Sequence, residues 1–273
     1  MKKSEKTGSN TFLSLTEEHS SVRSFLPGAE VPPEHVDAII RAAQRASTSC
    51  NLQTYAFLSI TQPATRRRLA ELAGGHAGIV EAGLFLVVCI DLHKMELVAE
   101  KAGYRYTQER YLESFLIAAV DTALAAQNAS LAAESLGYGI CMIGSLRNHA
   151  EEVWKLLELP PKVFPLFGMT VGVPAKRNPP KPRLPLQAVL FQDRYDARAV
   201  EKAMEEYDRL MAQSGIYSGR EFDVSCCATA GSHEAGGEYG WIEHSARRIS
   251  STDPLQTRAG LRGILERAGF SFD

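Results

Sequence analysis

The stretch from Phe115 to Ala133 limits the possible folds of this chain more than any other part of the sequence. Ala and Leu dominate it, Gly and Pro are absent until Gly137, and its strongly polar residues are Asp121, Gln127 and Asn128. These features predict a long helix. Because the helix is apolar nearly all round, we expect it to be buried on most sides.

A membrane and a protein core are alternative environments for such a helix. The stretch is nearly long enough to cross a bilayer. However, Asp121, Gln127 and Asn128 near its middle would be costly in lipid, and Ala is too weakly apolar to offset them. We therefore expect burial in protein, with a second subunit covering the helix in an obligate homodimer. A charge placed at Ala125 should then break the dimer.

Charge and cysteine content narrow the class of protein. The formal net charge of -2 gives no basic footprint for nucleic acid. No apolar segment follows MKKSEKTGSN, so we expect a disordered tail over residues 1–11 and no signal peptide. The five cysteines lack disulfide or metal-ligand spacing, which predicts a reducing cytoplasm and no metal site. A redox-active pair is an alternative for the adjacent Cys226 and Cys227, although they lack a CxxC frame.

Apolar runs predict buried strands at Tyr55–Thr61, Leu84–Ile90, Ile140–Ile143 and Val163–Val173. Amphipathic segments between them predict helices, and the mixture predicts an α+β fold. We expect one domain over residues 12–273 that ends in a helical excursion at about 199–273. Within the excursion, the Gly- and Ser-rich stretch 214–240 predicts a mobile loop, and helices are expected at Trp241–Ser250 and Leu255–Gly269.

Three polar segments have side chains suited to a ligand. In 19–25 a histidine and Arg23 flank two hydroxyls, as in sites for phosphate or carbonyl oxygen, although a surface turn has the same composition. The run 47–53 is either an ordinary polar loop or a set of donors to a ligand ring or ribityl chain. The proline-rich stretch 174–185 is either a polyproline linker or a rigid arm that directs Lys181 and Arg183 toward an anion.

Several motifs together resemble the FMN-dependent nitroreductase superfamily. They are HSSVRSF, STSCNLQ, a Gly-Gly turn before a buried strand, DTALAAQNASLAAESLGYG, IGSLRN, and PLFGMTVGVPA followed by KPRLP. The match is to the NAD(P)H-dependent branch of major oxygen-insensitive nitroreductases and flavin reductase P. It covers about residues 12–213, and more loosely the last two helices. The resemblance implies a central mixed sheet flanked by helices, a long buried helix at a homodimer interface, and FMN sites at that interface.

The resemblance also assigns roles to individual residues. Arg23 is expected near the pyrimidine edge of the flavin, where a cation stabilises negative charge on the reduced ring. The backbone N–H groups of Gly144 and Ser145 are expected near its redox nitrogen. The residues expected at the FMN phosphate are His19, Ser21, Lys181 and Arg183. The full set of expected cofactor-binding residues is His19, Ser20, Ser21, Arg23, Thr48, Ser49, Asn51, Gln53, His76, Ile143, Gly144, Ser145, Leu146, Lys181 and Arg183.

The chain departs from the family pattern at four positions. His76 falls where the family usually has a glutamine that touches the ring, Ser20 replaces a basic residue, and Asn51 replaces an aromatic. NADPH-preferring members have an arginine-rich loop after the helix that ends here near Gln213. Arg220 is the one close candidate here for the 2′-phosphate of NADPH, so the sequence leaves NADH and NADPH open.

The expected activity is a ping-pong NAD(P)H oxidoreductase. A nicotinamide passes a hydride to FMN, and a nitroaromatic, a quinone, an azo compound or free flavin then takes two electrons. No catalytic group beyond the flavin is expected, and no nucleic-acid or membrane partner. Two alternatives remain: a flavin enzyme of another reaction, such as a reductive dehalogenase or oxidase with 214–240 as a lid, and a non-catalytic flavin-binding protein.

Overall fold

The computed structural model describes residues 11–223, 225, 227 and 239–273. Residues 1–10 of the expected disordered tail, and residues 224, 226 and 228–238 of the expected loop at 214–240, with Cys226 among them, therefore lie outside the described residues. Thr11, the last residue of the expected tail, begins a helix. The chain divides into two compact units. One consists of Met1–Pro180 with Gly260–Asp273, and the other of Lys181–Ala259.

Helices and strands alternate along the first unit, largely where the sequence predicts them. The strands are β1 (Tyr55–Ser59), β2 (Leu84–Asp91), β3 (Gly139–Ile143) and β4 (Val163–Gly172). The helices over the described residues are α1 (Thr11–Glu17), α2 (Pro33–Ala43), α3 (Pro63–Leu72), α4 (Gly78–Glu81), α5 (His93–Ala102), α6 (Leu112–Ser135), α7 (Ala150–Leu156), α8 (Ala197–Gln213), α9 (Trp241–Ile249), α10 (Pro254–Thr257) and α11 (Leu261–Arg267). Short 3-10 segments lie at Ser49–Asn51, Gln108–Arg110, Gly144–His149 and Leu186–Ala188.

The four strands form one sheet in the order β1-β2-β4-β3, and every neighbouring pair is antiparallel. This confirms the α+β class but corrects the expected mixed sheet, for the described strands, to an antiparallel one. The continuous apolar run of β2 correctly predicts that all its residues are buried. Such a run indicates that both faces of the strand are buried. It does not indicate strand direction, which depends on how each connection returns the chain to the sheet.

Helices cover both faces of this sheet. On one face, Leu86 and Val88 of β2 pack in a cluster with Ile39 of α2 and Ala129 of α6. On the other face, the alternating residues of β2 join a cluster that contains Leu69 of α3 and side chains of α7. The period-2 alternation of the strand therefore divides its side chains between two cores. This arrangement makes α6 one wall of the first core.

The central helix α6 buries one face and exposes the other. The exposed face consists of large apolar residues whose exposed fractions lie between 43% and 56%: Leu112, Leu116, Val120 and Leu124. The buried face consists of small residues whose exposed fraction is 0%: Ala118, Thr122, Ala125, Ala129 and Ala133. Within one chain the helix is therefore buried on one side, and the expected burial of its other side by a second subunit stays a prediction. A charge at Ala125 would disrupt the core itself rather than a dimer.

By length and composition alone, α6 is the one helix of the described chain that could cross a membrane. The core helix of a soluble protein passes the same test, so this finding is weak evidence for a span. The carboxylate of Asp121 in this helix accepts hydrogen bonds from Ser49 and Thr54. Those bonds satisfy the group that would be most costly in lipid.

The second unit is built on α8, whose first turn is capped by Asp196 through bonds from Arg198 N and Ala199 N. Asp208 in the middle of α8 accepts from Ile242 N of α9 at 2.6 Å. Between the same helices, the rings of Tyr207 and Trp241 meet edge to face with their centroids 5.4 Å apart. These contacts join α8 and α9 into one folded body.

The last predicted helix, Leu255–Gly269, is wrong as a single element. It is divided into α10 and α11 because Arg258 adopts a left-handed conformation with φ 49°. The α11 segment returns to the first unit, where Leu265 and Phe270 pack with Phe164 of β4 in one buried cluster. The apolar pattern of the sequence does not show a break of this kind. One residue in the left-handed region ends a helix, and the spacing of the apolar residues on either side is unchanged.

Candidate functional site

The segment that follows α1 lies against β3. Val22 N donates to Ile140 O at 2.8 Å, and the side chain of Val22 is fully buried. A Cβ at Gly139 would lie 2.5 Å from Val22 Cγ2, so only a glycine allows this close approach. Arg23, the next residue, is exposed. The segment therefore anchors itself through Val22 and presents the Arg23 guanidinium to solvent.

His19 is held by a buried acid from the end of α6. Its Nδ1 atom lies 2.7 Å from Glu134 Oε1, and the exposed side-chain fractions are 29% for His19 and 5% for Glu134. The second carboxyl oxygen of Glu134 is buried and has no hydrogen-bond partner among the described residues. The ring is thus oriented from inside the protein.

The loop between α2 and β1 is strained. Cys50, Asn51 and Gln53 have positive φ angles of 48°, 57° and 53°, a region that residues other than glycine rarely adopt. Gln53 Nε2 donates to Asn51 Oδ1 at 3.2 Å. Strain held in a polar loop is frequent at ligand-binding sites. The structure thus brings together the predicted Thr48, Ser49, Asn51 and Gln53 in one distorted turn.

Asp121 of α6 holds both ends of this loop. Its two carboxylate oxygens accept from Ser49 N at 3.0 Å and from Thr54 Oγ1 at 3.1 Å. Burial and the Asp121 charge together raise the pKa of the Tyr55 phenol. Hydrogen bonds to a charged acceptor are stronger than neutral ones, so the carboxylate offsets part of the backbone strain.

A groove of about 340 Å³ lies between this loop and the exposed face of α6. Thr48, Ser49 and Asp121 are among its polar residues, and Leu116 and Val120 are among its apolar residues. A groove with both polar groups and apolar side chains suits an amphipathic organic ligand. Two of the predicted ligand residues, Thr48 and Ser49, line it.

His76 has a buried nitrogen without a partner. Its ring is half-buried, and the Nδ1 atom forms no hydrogen bond within the described chain. Burial lowers the pKa of His76, and the nearby Arg23 guanidinium lowers it further. The ring is therefore neutral at pH 7, and it can both donate and accept a hydrogen bond. Arg23 and His76 are distant in sequence, but they lie close enough for the Arg23 charge to affect the His76 ring.

At the end of β3, two of the predicted residues have buried side chains and can reach a ligand only through their backbone. Ile143 and Leu146 are buried in the second core cluster, so only their backbone groups can meet a ligand. Ser145 Oγ donates to Ala73 O at 2.9 Å. The 3-10 segment that begins at Gly144 leads into α7, and the N–H groups at such a start favour an anion or a carbonyl oxygen.

Lys181 and Arg183 lie at the start of the second unit, and both are exposed. Tyr207 Oη of α8 donates to Pro182 O at 3.0 Å, which fixes the backbone between the two cations. Burial raises the pKa of Tyr207, and the Arg183 charge opposes that rise. Their assignment to a phosphate stays a prediction.

Arg220 is exposed in the turn after α8. A cavity of about 420 Å³ in the second unit is lined by Tyr217, Tyr239 and Glu221 among others, and Arg220 is not among its lining residues. Backbone N–H groups, including that of Gly219, lower the pKa of Glu221. The carboxylate beside this cavity is therefore anionic, which does not favour a 2′-phosphate there. The NADPH role of Arg220 stays a prediction.

Sequence reasoning missed the supporting roles of Asp121 and Glu134. Both acids lie on an Ala-rich helix, and each is paired with a segment far away in the sequence, 72 residues from Asp121 to Ser49 and 115 from Glu134 to His19. The sequence does contain one signal for these roles, namely an acidic residue on the buried face of a helix. A buried charge requires a partner, so each such acid predicts a contact with another segment. Over the described residues, no group of three or more His, Cys, Asp or Glu side chains could hold a metal ion.

The fold and these polar groups define an α+β protein with a candidate site for an organic ligand beside its central helix. Comparison with known proteins identifies the family. The model of the nitroreductase family matches residues 16–173, and that of the nitroreductase family C-terminal domain matches residues 181–273. The chain therefore belongs to the nitroreductase family, which confirms the resemblance drawn from its motifs.

Individual relatives match between 71% and 96% of the chain. A Bacillus subtilis protein named FMN reductase (NADPH) is 39% identical over 197 residues, 71% of this chain and 79% of that protein. An NADPH-dependent oxidoreductase of Staphylococcus epidermidis is 38% identical over 261 residues, 94% of this chain and 96% of that protein. The solved structure of B. megaterium NfrA1 has 33% identity and a TM-score of 0.83, covering 96% of this chain and 99% of that one.

Proposed function

We propose that this chain is an FMN-dependent NAD(P)H oxidoreductase that reduces small acceptors by two electrons in a ping-pong cycle. The match to an NADPH-dependent oxidoreductase over 94% of the chain carries this proposal, because it spans both units. The names of the relatives favour NADPH as the reductant. The proposed acceptors are nitroaromatics, quinones, azo compounds and free flavin.

The residues of the first unit fit FMN. His76 supplies a buried nitrogen without a partner in the described chain, and the loop 48–53 supplies hydroxyl and amide groups. A flavin ring and its ribityl chain carry the carbonyl, N–H and hydroxyl groups that such side chains bind. When bound, FMN would supply hydride acceptance and donation, chemistry that protein side chains lack.

The proposed roles of the side chains follow from their charge and burial. Arg23, an exposed cation, would stabilise negative charge that develops on the bound ring. His76, neutral because its pKa is lowered, would hydrogen-bond the ring without adding a second charge. Main-chain N–H groups of Gly144 and Ser145 would face developing negative charge in the same way. His19 and Ser21 are kept as proposed phosphate ligands.

We also propose a homodimer formed through the exposed face of α6. Leu112, Leu116, Val120 and Leu124 follow one another at intervals of four residues, so they form a continuous apolar stripe. An exposed stripe of this kind is typical of a surface that binds another protein. We keep the cytoplasm as the proposed compartment, because the five cysteines have no disulfide spacing, as expected of a protein in a reducing environment.

The proposal is tested by an absorption spectrum of the purified protein and by anaerobic addition of NADPH or NADH. A flavin band that either nicotinamide bleaches, and that a nitroaromatic or quinone then restores, is the expected result. An Arg23→Gln variant should bleach more slowly, while Arg105→Gln, a change at another exposed arginine of the same unit, should bleach at the wild-type rate.

The alternatives give different results in the same experiment. A flavin band that neither nicotinamide bleaches would indicate a flavin-binding protein without this activity. Rapid oxygen consumption, or loss of halide from an iodinated phenol, would indicate another flavin reaction. A colourless protein that takes up no added FMN would refute the proposal.

A further inference from the structure

Glu134 is a buried acid that the proposed function leaves without a role. Its Oε1 atom lies 2.7 Å from His19 Nδ1, and its Oε2 atom is buried with no hydrogen-bond partner among the described residues. The side chain of His19 is about a third exposed, so the nitrogen that Glu134 does not touch, Nε2, is the one available to a ligand. A carboxyl group therefore determines what His19 can offer to that ligand.

The number of protons on this pair decides whether Nε2 is a donor. An ionised carboxylate only accepts hydrogen bonds, so it requires a proton on Nδ1, and a neutral ring then has a bare Nε2 that cannot donate. One additional proton changes this. Either the ring becomes an imidazolium, or the carboxyl group is protonated and donates to Nδ1, which moves the ring proton to Nε2. In both arrangements Nε2 carries a proton.

We propose that Glu134 is a positioning residue that makes anion binding at His19 depend on one proton. The pair offers an Nε2–H donor when it holds that proton and is neutral as a whole, and it offers none when it is a net anion. The ligand class is a phosphate group, which rests on the proposed function through the FMN phosphate. Binding the phosphate to the anionic pair would therefore take up one proton from solvent.

Other charged groups lie on the segments next to this pair. Glu17 and Glu18 precede His19 and are exposed, so water screens their charges. Arg177 donates to two carbonyl oxygens just beyond the end of α6. None of these is a hydrogen-bond partner of the His19 ring in the described contacts, whereas Glu134 is. The proton dependence should therefore respond to changes at Glu134 and His19.

The test compares the dissociation constants of FMN and riboflavin on the flavin-depleted full-length protein, by flavin fluorescence, between about pH 7 and 9. Over this range the FMN phosphate stays about nine-tenths or more dianionic, and riboflavin, which lacks the phosphate, cancels any titration near the ring. In the wild type, the preference for FMN should fall by up to about tenfold per pH unit, the slope for one linked proton.

Glu134→Gln should remove this slope. The glutamine amide can donate to Nδ1, so a neutral His19 carries its proton on Nε2 at every pH. His19→Gln, which keeps an uncharged N–H donor, should also be flat. Glu100→Gln changes an exposed glutamate near the end of α5 and should keep the wild-type slope.

A wild-type preference that does not change with pH, or an unchanged slope in Glu134→Gln, would overturn the inference. If Glu134→Gln does not fold, His19→Gln decides, and a persisting slope there overturns it as well. Failure of the wild type to bind either flavin would instead count against the proposed function. The two failures are therefore distinguishable.

Discussion

Removing the carboxylate of Asp121 should release the strained loop before it affects the rest of the fold. In Asp121→Ala, Ser49 N and Thr54 Oγ1 lose the acceptors that now lie 3.0 and 3.1 Å away. A hydrogen bond to a charged group contributes about 1.5–3 kcal/mol. Part of this is offset because the buried charge also disappears. We therefore expect a loss of about 3 kcal/mol, most of it local.

Hydrogen exchange measured by mass spectrometry reports this local effect. A loss of about 3 kcal/mol corresponds to roughly a hundredfold faster exchange in the peptide that contains Ser49. Asp121→Asn keeps one uncharged acceptor, so it should speed exchange there by only about tenfold. The left-handed residues Cys50, Asn51 and Gln53 favour this opening, because each is strained by about 1 kcal/mol or more.

Asn128→Ala is the matched control for this experiment. Asn128 lies two helical turns further along α6, and its Nδ2 atom donates to Ala42 O at 3.2 Å. Its removal should cost about 1 kcal/mol of stability without changing exchange at Ser49. Wild-type exchange at Ser49 in Asp121→Ala, or equally fast exchange in Asn128→Ala, would show that Asp121 does not hold the loop.

Three further changes test other parts of the molecule. Val120→Glu should yield a monomer in sedimentation experiments, while Val98→Glu, at a similarly exposed valine of α5, should leave a dimer; a dimeric Val120→Glu protein would reject the role of α6. Arg183→Ala should weaken FMN retention, and full flavin occupancy in the purified variant would contradict the phosphate prediction. A hydrogen bond from Lys162 lowers the pKa of Glu96, so the unfolded state binds more protons there, and stability should fall as the pH drops below about 4.5. Glu96→Gln should flatten this acid limb in urea unfolding, by no more than about 1 kcal/mol because the pair is partly exposed; an unchanged limb would assign the acid sensitivity elsewhere.

The strands and the core were predictable because burial leaves a local signal. The run at β2 is apolar at nearly every position because helices cover both faces of the sheet, and the structure buries all of its residues. Strand direction left no such signal. The break at Arg258 could not be predicted either, since residues other than glycine rarely adopt its left-handed conformation.

The candidate site was predictable only in part. The sequence indicates the groups that face the ligand, but not the residues that hold those groups in place. Polar runs such as 48–53 stand out in the sequence. The supports do not, because Asp121 and Glu134 are single acids on an apolar helix whose partners lie far away along the chain. Hydrophobic periodicity describes which side of an element is buried, and it contains no information about which distant donor a buried acid meets.

The central helix illustrates why apolar composition alone does not show which of its faces the chain itself buries. Both of its faces are apolar, but they differ in side-chain size. The buried face has Ala at five of its ten buried positions, which allows the helix backbone to approach the strands closely. The opposite face has large side chains such as Leu116 and Val120, which are half exposed in the single chain. A helix buried by its own chain on every side does not require small residues on one face and large residues on the other. A helix that packs closely on a sheet and contacts a partner through large side chains does require them. Side-chain size at intervals of three and four residues therefore distinguishes the two faces of the helix, whereas total hydrophobicity does not. On this basis a charge at Val120, rather than at Ala125, tests the dimer.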